Sequence, residues 1–85
     1  MNLTNFMRAG RQVAELLDTT VVSAIGDHFR HVIRFQNQME LIATSDDGVR
    51  TGAYTLYDGD TVLHTARDTH KMKEWINGNI SQDRS

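Results

Sequence analysis

The sequence predicts an α+β domain in which an N-terminal helix, an antiparallel meander of about four to five strands and a C-terminal helix form a two-layer sandwich. Three observations lead to this prediction. Apolar residues recur at helical spacing at the start of the chain, apolar and polar residues alternate between turn sequences in the middle, and helical spacing returns near the end. A chain of 85 residues is enough for one hydrophobic core. We therefore expect a single domain over residues 1–80 and a frayed tail over residues 81–85.

The first predicted helix has one apolar side. Its members follow one another at intervals of three and four, and they are Leu3, Phe6, Met7, Gly10, Val13, Ala14 and Leu17. Gly10 within this stripe lowers helix propensity by about 1 kcal/mol relative to alanine. We interpret the glycine as a point of close approach between the helix and the sheet.

The segment after this helix predicts two strands. Residues 19–25 are rich in β-branched side chains, and Gly26 and Asp27 interrupt them. Residues 28–35 alternate between large apolar and polar side chains, as expected for a strand with two different faces.

The turn sequence Gln36-Asn37-Gln38 predicts a hairpin of defined register. A three-residue loop sets the cross-strand pairs, which are Phe35 with Met39, Ile33 with Leu41, His31 with Ala43, Val32 with Ile42 and Arg34 with Glu40. The last pair joins opposite charges on the outer face of the sheet, and this favours the register.

A second turn, at residues 46–48, predicts the next hairpin. If it is also a three-residue loop, with Gly48 at positive φ, Ile42 faces Gly52 on the following strand. Tyr54 and Leu56 then lie on the outer face. The alternative is a β-bulge near Gly52, which would turn both side chains toward the core.

The first of these two registers produces an apolar strip edged by charge on the outer face. The predicted interaction residues are Val32, Ile42, Tyr54, Leu56, Arg30 and Arg34. Antiparallel sheets with one solvated face normally keep that face polar. An apolar strip with a charged rim is typical of a partner surface.

The last hairpin and the last helix complete the predicted fold. Asp58-Gly59 is a strong signal for a tight turn. Thr65 and Asp68 have the spacing of a capping box, and Gly78 predicts the end of the helix. The apolar side of the helix consists of Ala66, Thr69, Met72, Trp75 and Ile76. We assign Trp75 to the core.

Composition and motifs exclude several function classes. The net charge is −2 and cysteine is absent, so neither a disulfide framework nor a thiolate metal site is available. No apolar run approaches the roughly 20 residues of a membrane span, and the N-terminus lacks the pattern of a secretory signal. No nucleophile motif or phosphate-binding loop occurs. We therefore expect a cytoplasmic protein that is not an enzyme and binds no cofactor.

The four histidines suggest a small-ligand or metal site as one alternative. His28 and His31 lie three residues apart on a strand and so on opposite faces, and no spacing typical of a zinc site occurs. The candidates are His31 and His64. We predict no metal site and interpret these two as hydrogen-bonded histidines at the edge of the core.

A weak basic patch is the basis of the other alternative, a nucleic-acid-associated accessory protein. Its residues would be Arg30, Arg34, Arg50, Lys71 and Lys73. The order helix, strands, helix resembles that of a double-stranded-RNA-binding domain, but the strand count is higher and the final helix is less basic. A net charge of −2 also argues against phosphate binding.

The function that we expect is that of a small non-enzymatic protein-interaction module. It would form a homodimer through the exposed face or an edge of its sheet. The expected partner is a second copy or another protein, whereas nucleic acid and membranes are not expected partners.

Overall fold

A computed structural model describes residues 3–27, 29–47 and 52–80 of the chain. Its elements are α1 (Leu3–Leu16), β1 (Val21–Gly26), β2 (Arg30–Phe35), β3 (Met39–Thr44), β4 (Ala53–Asp58), β5 (Thr61–Ala66) and α2 (Thr69–Asn79). This order confirms the predicted fold class. Neither of the two described helices has the length and apolar character needed to cross a bilayer. The predicted tail, residues 81–85, lies outside the described residues.

The five strands form one antiparallel sheet in which every strand pairs with its neighbours in sequence. Both helices lie against one face of this sheet, with α1 on β1 and β2 and α2 on β5. We call this the inner face and the opposite one the outer face. The core between the two layers consists of Phe6, Val13, Ala14, Leu17, Ile33, Phe35, Met39, Leu41, Ala43, Leu56, Ala66, Met72 and Ile76.

The contact between α1 and the sheet confirms the interpretation of Gly10. A Cβ atom added at this position would overlap the Cδ1 methyl of Ile33, and it would lie 3.5 Å from Cγ1 and Cγ2 of the same side chain. Ile33 is completely buried on β2. The helix therefore lies closer to the strand than a residue with a side chain would allow.

The register of the β2–β3 hairpin is as the sequence predicts. Ile33 faces Leu41, and Arg34 faces Glu40. Gln38 in the loop has φ 72°, and its N–H donates to the carbonyl oxygen of Phe35 at 3.2 Å. A left-handed residue at this point is the usual way for a three-residue hairpin loop to close.

The predicted register of β3 with β4 is wrong, and with it the placement of Tyr54 and Leu56 on the outer face. Ile42 faces Thr55 rather than Gly52, so β4 is displaced by three residues. A displacement by an odd number of residues moves every side chain of a strand to the other face. The connection runs from residue 45 to residue 52 instead of forming a three-residue loop. The pairing of β3 with β4 contains no bulge; the predicted Gly48 lies outside the described residues.

The ends of α2 also differ from the predicted ones. Asp68 is the N-cap, and its carboxylate accepts a hydrogen bond from the N–H of Lys71. Thr65, the predicted cap, belongs to β5. Gly78 lies inside the helix, which continues to Asn79. Asp68 rather than Thr65 is the cap because β5 extends to Ala66 and α2 begins only at Thr69.

An apolar sheet face as the candidate interaction site

The outer face carries a row of side chains that crosses all five strands. The sheet register aligns one residue from each strand, and this outer row consists of Ile25, Val32, Ile42, Thr55 and Thr65. Its first three members are direct cross-strand neighbours, with Cβ atoms about 4.5–5.5 Å apart. The two threonine hydroxyl oxygens lie 3.3 Å apart. The row is therefore apolar on β1 to β3 and polar without charge on β4 and β5.

The apolar residues of the outer row differ in their exposure to solvent. Ile25, on the edge strand, is 66% exposed, and Val32 is partly exposed. Ile42 is only 9% exposed, yet it does not belong to the core between the sheet and the helices. It lies on the central strand, between Val32 on β2 and Thr55 on β4. A second layer placed on this face would remove mainly the surface of Ile25 and Val32 from water.

A parallel row beside the outer row combines charge with further apolar groups. It consists of Ser23, Arg34, Glu40, Tyr57 and Val62. The Nε of Arg34 donates to Oε2 of Glu40 at 3.2 Å. The two side chains are 68% and 28% exposed, so the pair contributes at most about 1 kcal/mol to stability. It does neutralise the charge of this part of the face.

Four of the predicted interaction residues lie on the outer face. Val32 and Ile42 belong to the outer row, while Arg30 and Arg34 flank Val32 along β2. Arg30 faces Thr44 on β3. Their role in binding a partner stays a prediction.

The other two predicted residues lie on the inner face. Tyr54 faces Ala43, and its ring centroid lies 6.0 Å from that of Phe6 on α1. Leu56 is completely buried in the core. Tyr57 occupies the outer face of β4 in their place. Alternation along β4 is the signal that identifies it, since Tyr57 must point away from Leu56.

Both edge strands have irregular registers. The pairing of β1 with β2 shifts between Val21 and Ser23. The pairing of β4 with β5 shifts between Leu56 and Tyr57. Such irregularities bend an edge and interrupt its row of hydrogen-bonding groups, which disfavours the addition of another strand. The outer face is therefore a better interaction surface than either edge.

The two candidate histidines cannot bind one ion or one small ligand together. His31 lies on β2, 3% exposed, and stacks on Phe6 with ring centroids 5.6 Å apart. His64 lies on β5 and stacks on Trp75 at 4.6 Å. The two strands are three places apart in the sheet, or about 14 Å. Aromatic contacts hold both rings, and Nδ1 of His31 has no hydrogen-bond partner among the described residues, contrary to the prediction.

A metal centre has no basis in the described part of the chain. No three His, Asp or Glu side chains of residues 3–27, 29–47 and 52–80 are grouped in a way that would hold an ion. His28 lies outside these ranges.

The predicted basic residues do not form one surface. Arg30 and Arg34 lie on the outer face of β2, whereas Lys71 and Lys73 belong to α2, which covers the inner face. The Nζ of Lys73 donates to Oε1 of Gln12 on α1 at 2.7 Å, which joins the two helices. Arg50 lies outside the described residues. The arrangement therefore separates the basic groups that the nucleic-acid alternative would combine.

Comparisons with known proteins return no match: the chain matches no protein-family model, no curated protein and no solved structure. The chemistry that the outer face offers is hydrophobic contact at Ile25, Val32 and Ile42, with a guanidinium and a carboxylate beside it.

Proposed function

We propose that this protein is a non-enzymatic interaction module that self-associates by packing the outer faces of two copies against each other. The observation that carries the proposal is the outer row, in which Ile25, Val32 and Ile42 lie side by side on the face opposite the helices. The cytoplasm is the expected location, because a chain without cysteine suits a reducing compartment.

Burial of the outer row supplies the driving force for association. Covering an apolar side chain of this size completely contributes about 1.5–3 kcal/mol. Ile25 is 66% exposed in the single chain, so covering it contributes about 1–2 kcal/mol on each copy. Aligned packing of two sheets is a common solution for covering such faces.

The size of the outer face sets the expected affinity. Five strands about 4.8 Å apart, each of six residues that rise about 3.4 Å, make a face of about 24 by 20 Å. Two copies together would bury about 1,000 Å², slightly less than the roughly 1,200–2,000 Å² of stable interfaces. We therefore expect a weak dimer with a Kd in the micromolar range or higher.

The charges on the face suit a second copy better than a strongly charged partner. Arg34 and Glu40 already pair within the chain, and Arg30 adds a single positive charge beside the outer row, so the face carries too little net charge to attract a strongly acidic or basic surface. A matching apolar face of the same length is the simplest complement to the outer row.

Sedimentation equilibrium from about 10 µM to about 1 mM tests the proposal over the affinity range expected for an interface of this size. We expect the wild-type protein to pass from monomer to dimer. Ile25→Lys should abolish the dimer without unfolding the monomer, because the position is 66% exposed. The control is Asn77→Lys, which adds the same charge at an exposed position of α2, in the other layer. A wild-type protein that stays monomeric throughout, or equal weakening by both variants, would refute the proposal.

A further inference from the structure

Two outer faces can meet in two aligned orientations. Contact between identical surfaces requires a two-fold axis that lies in the plane of the interface. Packed sheets also keep their strand directions within about 30° of each other. Complete overlap of the two faces then places the axis either along the outer row, across the strands, or parallel to β3, the central strand. The charges beside the outer row distinguish these orientations.

An axis along the outer row brings like charges together. Each strand then faces the same strand of the second copy, running in the opposite direction. Arg30 and Arg34 lie on either side of Val32 on β2, so Arg30 of each copy would meet Arg34 of the other. Both side chains are exposed, and two such contacts between guanidinium groups would oppose association.

An axis parallel to β3 avoids these contacts. Strand β2 then faces β4 of the second copy, which places Arg34 over Tyr57 and Arg30 over Ala53. Glu40 lies on β3, at the axis, so the Glu40 side chains of the two copies face each other, with Arg34 of one copy on one side and Arg34 of the other copy on the other side. The two carboxylates and two guanidinium groups form one cluster without net charge, whereas an axis along the outer row would form two clusters, each with a net positive charge. A guanidinium over an aromatic ring adds a cation–π contact.

We infer that the outer faces pack about a two-fold axis parallel to β3, with Arg34 of each copy on Tyr57 of the other. The inference rests on the proposed self-association and adds its orientation and the residue that selects it. The same arrangement places Ile25 of one copy over Thr65 of the other, because β1 and β5 exchange places across the axis.

Cross-linking of single cysteines tests this orientation, since the chain has no cysteine of its own. Ile25→Cys and Thr65→Cys both change exposed residues of the outer row. In a mixture of the two variants, a short bismaleimide should join one to the other across the about 10 Å between packed sheets. The variant Ile25→Cys alone should remain unlinked, because four strand spacings, about 19 Å, separate the two positions sideways.

Sedimentation of the same samples separates failure of the inference from failure of the proposed function. A dimer in which Ile25→Cys links to itself overturns the orientation but leaves self-association in place. A dimer that yields neither product also overturns the orientation. A wild-type protein that is monomeric at about 1 mM, the upper limit for an interface of this size, overturns both.

The double variant Arg34→Glu, Glu40→Arg provides a second test. It keeps a cross-strand pair of opposite charges, so the fold should be retained. With the axis parallel to β3, the carboxylate at position 34 lies over the aromatic ring of the second copy, and the Kd should rise about tenfold. With the axis along the outer row, that carboxylate would meet Arg30 of the second copy. A fall in Kd would therefore overturn the inference.

Discussion

Replacing Gly10 with alanine tests whether the contact of α1 with the sheet requires a glycine. The new Cβ would overlap Cδ1 of Ile33. Ile33 is completely buried, so its methyl group can move only toward other core side chains. Overpacking of this kind costs about 1–3 kcal/mol. Alanine also stabilises the helix by about 1 kcal/mol relative to glycine through its higher helix propensity. The expected net effect is a loss of up to about 2 kcal/mol in the free energy of unfolding.

Gly78 provides the matched control for this substitution. It lies in α2, and a Cβ there would meet nothing within 4 Å. Gly78→Ala should therefore raise the free energy of unfolding by about 0.5–1 kcal/mol. Both substitutions gain helix propensity, so the difference between them, about 1–3 kcal/mol, measures the packing conflict at Gly10.

Urea unfolding followed by fluorescence measures both variants. Trp75 is the only tryptophan of the chain, and it stacks on His64 of β5, so its emission reports the packing of α2 on the sheet. Protein concentrations well below the Kd for self-association avoid its contribution to the measured stability. Ile33→Val removes Cδ1, so Gly10→Ala should be stabilising in that background. The reasoning is refuted if Gly10→Ala stabilises as much as Gly78→Ala, or if Ile33→Val leaves its effect unchanged.

Two further pairs of substitutions test the register of β4 and the cap of α2. Leu56→Ala should lower the free energy of unfolding by about 2–5 kcal/mol because Leu56 is completely buried, whereas Thr55→Ala, on the outer face, should cost less than about 1 kcal/mol. Similar small losses at both positions in urea unfolding would contradict the inner placement of Leu56. Asp68→Ala should cost about 1 kcal/mol through loss of its hydrogen bond to the N–H of Lys71, and Asp68→Asn should retain most of the stability. Equal thermal shifts for the two Asp68 variants would exclude a capping role.

The two long hairpins show how far the sequence predicts the register. The β2–β3 hairpin closes through Gln36-Asn37-Gln38, whose loop length agrees with the alternation on both strands and with the Arg34–Glu40 pair. Local turn chemistry is sufficient there. The β3–β4 connection spans residues 45–52, because Thr44 pairs with Ala53, and it is therefore longer than the predicted three-residue loop at residues 46–48. Turn-like residues do not determine how long a loop is, because adding residues to a loop costs little free energy.

The prediction of the candidate site likewise depended on whether the strand register could be predicted from local turn residues. Val32 and Ile42 were predictable, because the β2–β3 register places them on the face away from the core. Tyr54 and Leu56 were assigned to the wrong face, because a displacement by three residues reverses the whole strand. No register was predicted for β1 and β2, so Ile25 was not identified as a neighbour of Val32; its alignment with Val32 continues directly from the pairing of Gly26 with His31 at the end of the hairpin.

The sequence by itself determined the element order, the fold class, the role of Gly10 and the register of one hairpin. Each of these follows from periodicity or turn chemistry within a few neighbouring residues. The tertiary structure decided which face of β4 is buried, which residue caps α2 and which side chains align across five strands. These outcomes depend on where strands separated by variable loops come to lie, and only the packing of Leu56 and its partners against the helices selects among the possible registers.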